Sequence, residues 1–189
     1  MDTKGFFVSL FVGTLVVAGL YLLWVNPEVV LARIRFHRGT KRWDRILLCF
    51  LLPVVYAVFI VAAWDNGRFH GLPLPWWVCG FGYVLFLVGI SIVTRAEAVN
   101  KFFEKTVRIQ RDRDHKVIDT GPYAPVRHLG YVGFMLFFVG SALCLGSLWA
   151  LIPASMASAL LVLRTRREDQ TLQAELPGYQ EYAGLPHEW

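Results

Sequence analysis

The chain has 189 residues, of which 56% are apolar and 17% charged, and that balance excludes a disordered chain, a disulfide scaffold and a large soluble catalytic domain. It points instead to a membrane protein. The net charge of +5 is spread through loops rather than gathered on one face with stacking aromatics, so nucleic acid is not an expected partner.

Four stretches carry no Asp, Glu, Lys or Arg: 5–25, 46–64, 71–94 and 129–163. Crossing a hydrocarbon core of about 30 Å takes roughly 20 helical residues, so the first three predict spans over 5–25, 46–64 and 74–94. The first is too long for the apolar region of a cleaved signal, and its flank holds only Lys4. Between the first two spans the run RIRFHRGTKRWDR, residues 33–45, is expected to lie against anionic headgroups with Trp43 at the interface. Inside the third span, Gly80 and Gly82 lack the strand and third glycine of a nucleotide loop and suit close helix packing.

The fourth stretch has 35 residues. As one helix it would be on the order of 52 Å long, yet it is too short for two ordinary spans and a loop. A tight helical hairpin resolves this, with its turn near Gly146 and Ser147 and short spans over 131–145 and 148–163 that tilt or thin the bilayer. Ala150, Ala154, Ser155 and Ala159 in the last span are small residues that would let helices approach. The runs are continuous rather than alternating, which argues against a barrel. The expected fold is all-α, a single membrane domain over 1–189 with five transmembrane helices. Of the 19 Lys and Arg residues, 17 fall on one side of that topology. This places the N-terminus outside, and the C-terminus and the segments 100–130 and 164–189 in the cytoplasm.

Cys49, Cys79 and Cys144 are widely spaced within predicted spans and read as small packing residues. The histidines show no ligand spacing, so no metal is expected. The polar segment from Asn100 to Tyr131 carries Phe102 and Phe103, read as an interfacial anchor, and a turn at Gly121-Pro122-Tyr123. After the hairpin, Arg164 and Glu168 share a helix face, Leu172 follows one turn on, and Gly178 after Pro177 ends the helix. In isolation Arg164 and Glu168 would be a surface ion pair, His128 an interfacial cap and Tyr131 part of an aromatic belt. However, Arg127-His128 precedes the hairpin and Arg164-Glu168 follows it, so the topology brings the two clusters together.

In these segments the sequence resembles the isoprenylcysteine carboxyl methyltransferase family of integral membrane methyltransferases. The motifs are His115 with Lys116-Val117-Ile118, Gly121-Pro122-Tyr123, Arg127-His128-Leu129-Gly130-Tyr131-Val132-Gly133, Arg164, Glu168-Asp169-Gln170-Thr171-Leu172, and Gly178-Tyr179-Gln180-Glu181-Tyr182. Asp114 stands where the family has Gly, Leu129 where it has Pro and Asp169 where it has a second Glu, and the tail AGLPHEW is short. The resemblance implies S-adenosylmethionine as methyl donor, bound by the cytoplasmic segments, and a lipophilic acceptor entering from the membrane lipids. It further implies that Glu168 pairs with the donor's amino group. His128, Tyr131, Tyr123 and the backbone of His115, Lys116, Val117 and Ile118 would line the donor pocket, with Gln110 a further candidate. For a carboxylate acceptor Arg164 is the candidate catalytic residue, since a guanidinium matches a carboxylate in a two-pronged fork. Two alternatives stand beside this: methylation of a small thiol or a lipid amine, and a non-enzymatic membrane protein that retains the fold.

Overall fold

Away from water a backbone satisfies its own polar groups by closing into a helix or a barrel, and the continuous apolar runs take the first course. The computed structural model describes residues 3–34, 39–65, 74–124 and 126–184. Seven α-helices appear among them: α1 (Thr3–Val25), α2 (Pro27–Ile34), α3 (Arg42–Trp64), α4 (Trp76–Val99), α5 (Leu129–Cys144), α6 (Leu151–Glu175) and α7 (Tyr179–Ala183), with 3-10 turns at Arg111–Arg113 and Gly121–Tyr123. No strand occurs among the described residues, so the fold is all-α. Three helices are long and apolar enough to cross a membrane, Gly5–Val25, Arg42–Trp64 and Trp76–Val99, while α5 is a shorter apolar helix.

Helix ends differ from the expected span ends because a helix does not stop where the hydrocarbon would. α3 begins at Arg42 rather than at residue 46, α4 runs on to Val99, and α6 continues through its charged half to Glu175. The hairpin turn falls where it was expected, although α6 starts at Leu151 rather than at 148. Gly146 adopts φ +74, a conformation that costs a glycine little. Ser147 then donates its amide to the Ala142 carbonyl at 3.0 Å. Its hydroxyl accepts the Ala150 N–H at 3.2 Å and bonds Asp65 Oδ2 at 2.7 Å, tying the turn to the end of α3.

The tightest packing joins α4 to α5. A Cβ added at Gly82 would stand 2.4 Å from the Cys144 amide nitrogen, and one at Gly140 would stand 2.3 Å from that of Phe86. Gly82 thus performs the packing role expected of the glycine pair, whereas Gly80 meets only the tip of Phe7 at 3.8 Å. One core joins Leu47, Leu51 and Val58 of α3 to Phe138 and Ala142 of α5 and to Ala154, Ala157 and Leu161 of α6. A second joins Phe7 and Phe11 of α1 to Cys79, Phe86 and Cys144.

Three expectations about individual residues are corrected. Ala150 and Ala154 are buried, but Ser155 and Ala159 are exposed, because the contact stripe of α6 runs through Ala154, Ala157 and Leu161 at helical spacing. Cys79 and Cys144 are packing residues, but Cys49 lies on the exposed face of α3. Within the basic segment Thr40 and Asp44 turn inward rather than toward headgroups. Residues 35–38 of that segment and 185–189 of the short tail lie outside the described residues. The exposed faces are themselves apolar, as at Val16, Val17 and Leu20 of α1 and Phe50 and Ile60 of α3.

Candidate active site

The segment between α4 and α5 folds back over the helix ends and is stiffened by its own charges. Arg108, itself buried, donates from Nε and Nη2 to Glu104 at 2.9 Å each and from Nη1 to Asp112 at 2.6 Å. That charge-assisted fork fixes the loop's course. Arg113 reaches Glu28 of α2 at 3.2 Å. Phe102 and Phe103 are drawn inward by this fold-back rather than anchoring at the interface. Phe102 is buried with its ring 4.5 Å from that of His115, and Phe103 packs on Gly130, where an added Cβ would meet its ring at 2.6 Å.

Gln110 is almost fully buried and donates its amide to the Phe102 carbonyl at 2.7 Å. Its backbone carbonyl accepts the His115 N–H at 3.2 Å. Burial pushes the His115 imidazole down to about 4, so the ring is neutral near neutral pH. Asp114 sits at φ +52, the left-handed region where glycine costs least and Asp is tolerated. The Lys116 ammonium pairs with Asp114 at the surface, 2.9 Å away. The chain from His115 to Ile118 forms neither helix nor strand.

The turn at Gly121-Pro122-Tyr123 forms as expected, with Gly121 at φ +60. It buries Tyr123, whose hydroxyl donates to the Ala96 carbonyl at 3.3 Å and whose carbonyl accepts the Tyr182 hydroxyl at 2.6 Å. Burial raises the Tyr123 phenol well above its usual range.

The clusters flanking the hairpin do meet. His128 Nε2 lies 3.1 Å and Arg127 Nη1 3.4 Å from Asp169 Oδ1, which also accepts the Tyr179 hydroxyl at 2.8 Å. The hydrogen bond from His128 is the main reason the Asp169 carboxyl titrates below its usual range. The Tyr131 hydroxyl donates to Glu168 Oε2. Arg164 does not pair with Glu168. It is buried and donates from Nε to Asp44 Oδ1 at 2.8 Å, and from Nη2 to the Lys105 carbonyl at 2.7 Å and to Asp44 Oδ2 at 3.4 Å. Its guanidinium lies 5.7 Å from the centre of the Tyr131 ring.

All nine expected site residues, His115, Lys116, Val117, Ile118, Tyr123, His128, Tyr131, Arg164 and Glu168, line one cavity of about 580 Å³. Part of the remaining wall is apolar, with Leu51, Leu52, Val55 and Phe59 from α3 and Phe134 and Phe138 from α5, and part is polar, with Glu104, Arg108, Gln110 and Arg127. Asp44 and the inward turn of Phe102 escaped the reading of the sequence. Asp44 is the single acid in the basic run 33–45, and that isolation was the available signal. Among the described residues no three His, Cys, Asp or Glu side chains gather into a metal site.

The model of the isoprenylcysteine carboxyl methyltransferase family matches residues 80–174, a range that contains all nine of these residues. Protein-S-isoprenylcysteine O-methyltransferase A of Arabidopsis thaliana is 32% identical over 108 residues, 56% of this chain and 50% of that protein. Protein-S-isoprenylcysteine O-methyltransferase B of the same plant is 32% identical over 78 residues, 41% of this chain and 40% of that protein. The Schizosaccharomyces pombe protein-S-isoprenylcysteine O-methyltransferase is 26% identical over 109 residues, 58% and 41% of the two chains. The chain therefore spans about half the length of the curated relatives it matches, or less. With more than half of its residues under the family model, the chain belongs to the isoprenylcysteine carboxyl methyltransferase family.

Proposed function

We propose that the protein transfers the methyl group of S-adenosylmethionine to the carboxylate of a lipophilic, isoprenylcysteine-like acceptor. The reaction takes place at the cytoplasmic face of a membrane domain with five spans, α1, α3, α4, α5 and the first half of α6, and an outer N-terminus. The observation that carries this reading is that one cavity has both a polar, charged wall and an apolar one. A charged, amphipathic donor and an apolar acceptor need such a space, and a soluble-type pocket for either alone would lack one wall.

The donor set fits. Glu168 supplies a carboxylate for an ammonium group, Tyr123 and Tyr131 supply aromatic faces, and the backbone of residues 116–118, outside any helix, has polar groups to offer. Methyl transfer breaks the sulfonium S–CH₃ bond as the carboxylate O–CH₃ bond forms, leaving a thioether and a methyl ester. No proton moves. A carboxylate is ionised near neutral pH, so the protein has to orient it, align it with the sulfonium and exclude water. Arg164 orients it, through the one guanidinium nitrogen, Nη1, that has no partner among the described residues. The neutral His115 and un-ionised Tyr123 suit a site that performs no acid–base step.

The test supplies detergent-purified protein with methyl-labelled S-adenosylmethionine and N-acetyl-S-farnesylcysteine. A base-labile labelled ester is expected. Base-stable label on an added thiol or lipid amine would overturn the acceptor assignment, and no transfer with retained donor binding would favour a non-enzymatic role.

A further inference from the structure

We propose that Asp44 is a positioning residue that aims Arg164 and limits how tightly it holds the acceptor's carboxylate. This deepens the reading above and rests on it, since it takes Arg164 to face an anionic group. Asp44 stands on α3, outside residues 80–174, so it is supplied by the part of the chain that the family model does not match.

Asp44 is fully buried and its two oxygens are shared between two segments. Oδ1 accepts Arg164 Nε at 2.8 Å, while Oδ2 accepts the Val107 N–H at 2.7 Å and lies 3.4 Å from Arg164 Nη2. The Lys105 carbonyl takes Nη2 at 2.7 Å. A guanidinium is a rigid plane, so fixing Nε and Nη2 fixes the direction of Nη1. The Tyr131 ring lies beside the same guanidinium, and Arg164 lines the cavity. One edge of the fork is thus spent on the protein and the remaining nitrogen is left for a ligand.

Electrostatics gives the pairing a further consequence. The acceptor's negative charge is consumed as the ester forms, so any attraction for that charge is stronger in the ground state than in the transition state. An unshared guanidinium in a low-dielectric site would hold the carboxylate tightly and blunt its attack. Asp44 shares that charge. Glu168 also acts on the Arg164 charge but is engaged with Tyr131, whereas Asp44 is the carboxylate bonded directly to Arg164.

Asp44→Asn keeps the shape and removes the charge. The expected result is binding of N-acetyl-S-farnesylcysteine tightened by about tenfold with the affinity for its carboxamide unchanged, and kcat lowered by about tenfold with a lower KM. Damage to packing alone would weaken binding of both ligands and raise KM. Asp44→Glu, which restores the charge, is expected to return the carboxylate-to-amide preference toward wild type. Asp44→Ser is the second neutral variant should the Asn protein not fold, with the same shift expected. Titration calorimetry in the presence of S-adenosylhomocysteine reads the preference without turnover. A preference unchanged or reduced in the neutral variant would overturn the proposal. A raised preference in a protein that transfers no methyl group would uphold the role of Asp44 and overturn the reaction instead.

Discussion

At Glu168 a carboxylate four residues beyond Arg164 accepts the Tyr131 hydroxyl at the wall of the cavity. Glu104, the other carboxylate on that wall, is held by Arg108, so Glu168 is the carboxylate suited to a donor ammonium, and a charge-assisted hydrogen bond contributes roughly 1.5–3 kcal/mol. Glu168→Ala is therefore expected to weaken S-adenosylmethionine binding by about tenfold to a hundredfold with little change in melting temperature. Calorimetric titration of the purified variant checks this, and unchanged affinity would sink the assignment. His115 yields a prediction about pH. Burial, aided by Arg108 and Arg113 and opposed by Glu104, holds its imidazole at about 4 against an ordinary 6.5. Between those values the unfolded chain binds a proton that the folded chain refuses, so stability falls as pH drops through that window. Asp169, held below its ordinary 3.8, loses its contribution only at lower pH. Thermal melts are expected to decline less between pH 6.5 and about 4 in His115→Asn than in wild type, and equal declines would exclude His115 as the source. The departures from the family pattern also find local reasons. Asp114 occupies a left-handed position that glycine would fill, and Leu129 opens α5 at a site where proline's missing N–H would have had no helical acceptor anyway. Asp169 gathers Arg127, His128 and Tyr179. The place of Tyr123 and Glu168 on the cavity wall was legible because they stand in ordered motifs that flank the hairpin. Asp44 was not, because its role depends on a partner 120 positions away and its neighbours are bases that suggest a lipid surface.

The helices were legible to the extent that length and charge determine them. The 35-residue charge-free stretch admits only a tight hairpin, and the turn at Gly146 follows. The continuation of α6 to Glu175 had its signal in Arg164, Glu168 and Leu172 on one face, and α3 ends at Trp64 where the apolar run does, but the start of α3 and the end of α4 had no signal, since a helix gains tertiary contacts past the apolar run. The face each helix presents was harder still, and the contact stripe of α6 passes through Ala157 rather than Ser155 and Ala159. Where two backbones touch, the requirement is sharper. A methyl group at Gly140 would lie 2.3 Å from the Phe86 amide nitrogen and 2.8 Å from the Gly82 carbonyl oxygen, atoms of main chain that cannot turn aside. Gly140→Ala is therefore expected to cost about 1–3 kcal/mol or to prevent folding. Gly13 of α1 has nothing within 4 Å of its Cβ position, and Gly13→Ala is expected to be neutral or to stabilise by up to about 1 kcal/mol. Melting temperatures of the two variants in one detergent test the contrast, and equal values would refute the close α4–α5 approach.

At the scale of the molecule, the basic loops form one assembly rather than separate tails. Lys41 bonds Glu175 at 2.6 Å, its amide reaches the Val107 carbonyl at 3.1 Å, and Arg127 meets Asp169. Residues before α3, after α4 and beyond the hairpin therefore lie at the same end of the helices, so they must share one side of any bilayer the helices cross. The positive-inside rule then makes a commitment for the whole set, because under the proposed five-span topology 17 of the 19 Lys and Arg residues fall on that side. The hairpin turn, tied to Asp65 through Ser147, belongs to the opposite end. Leu148 in that turn and Glu181 in α7 are both exposed, and they supply a test in a variant with Cys49, Cys79 and Cys144 replaced. A membrane-impermeant maleimide added to intact cells is expected to label Leu148→Cys and to reach Glu181→Cys only after the membrane is opened. The reverse pattern would invert the orientation and put the cavity on the outer face. Labelling of both in intact cells would mean that the two ends are not separated by a bilayer, which would remove the five-span arrangement and with it the entry of the acceptor from the lipid.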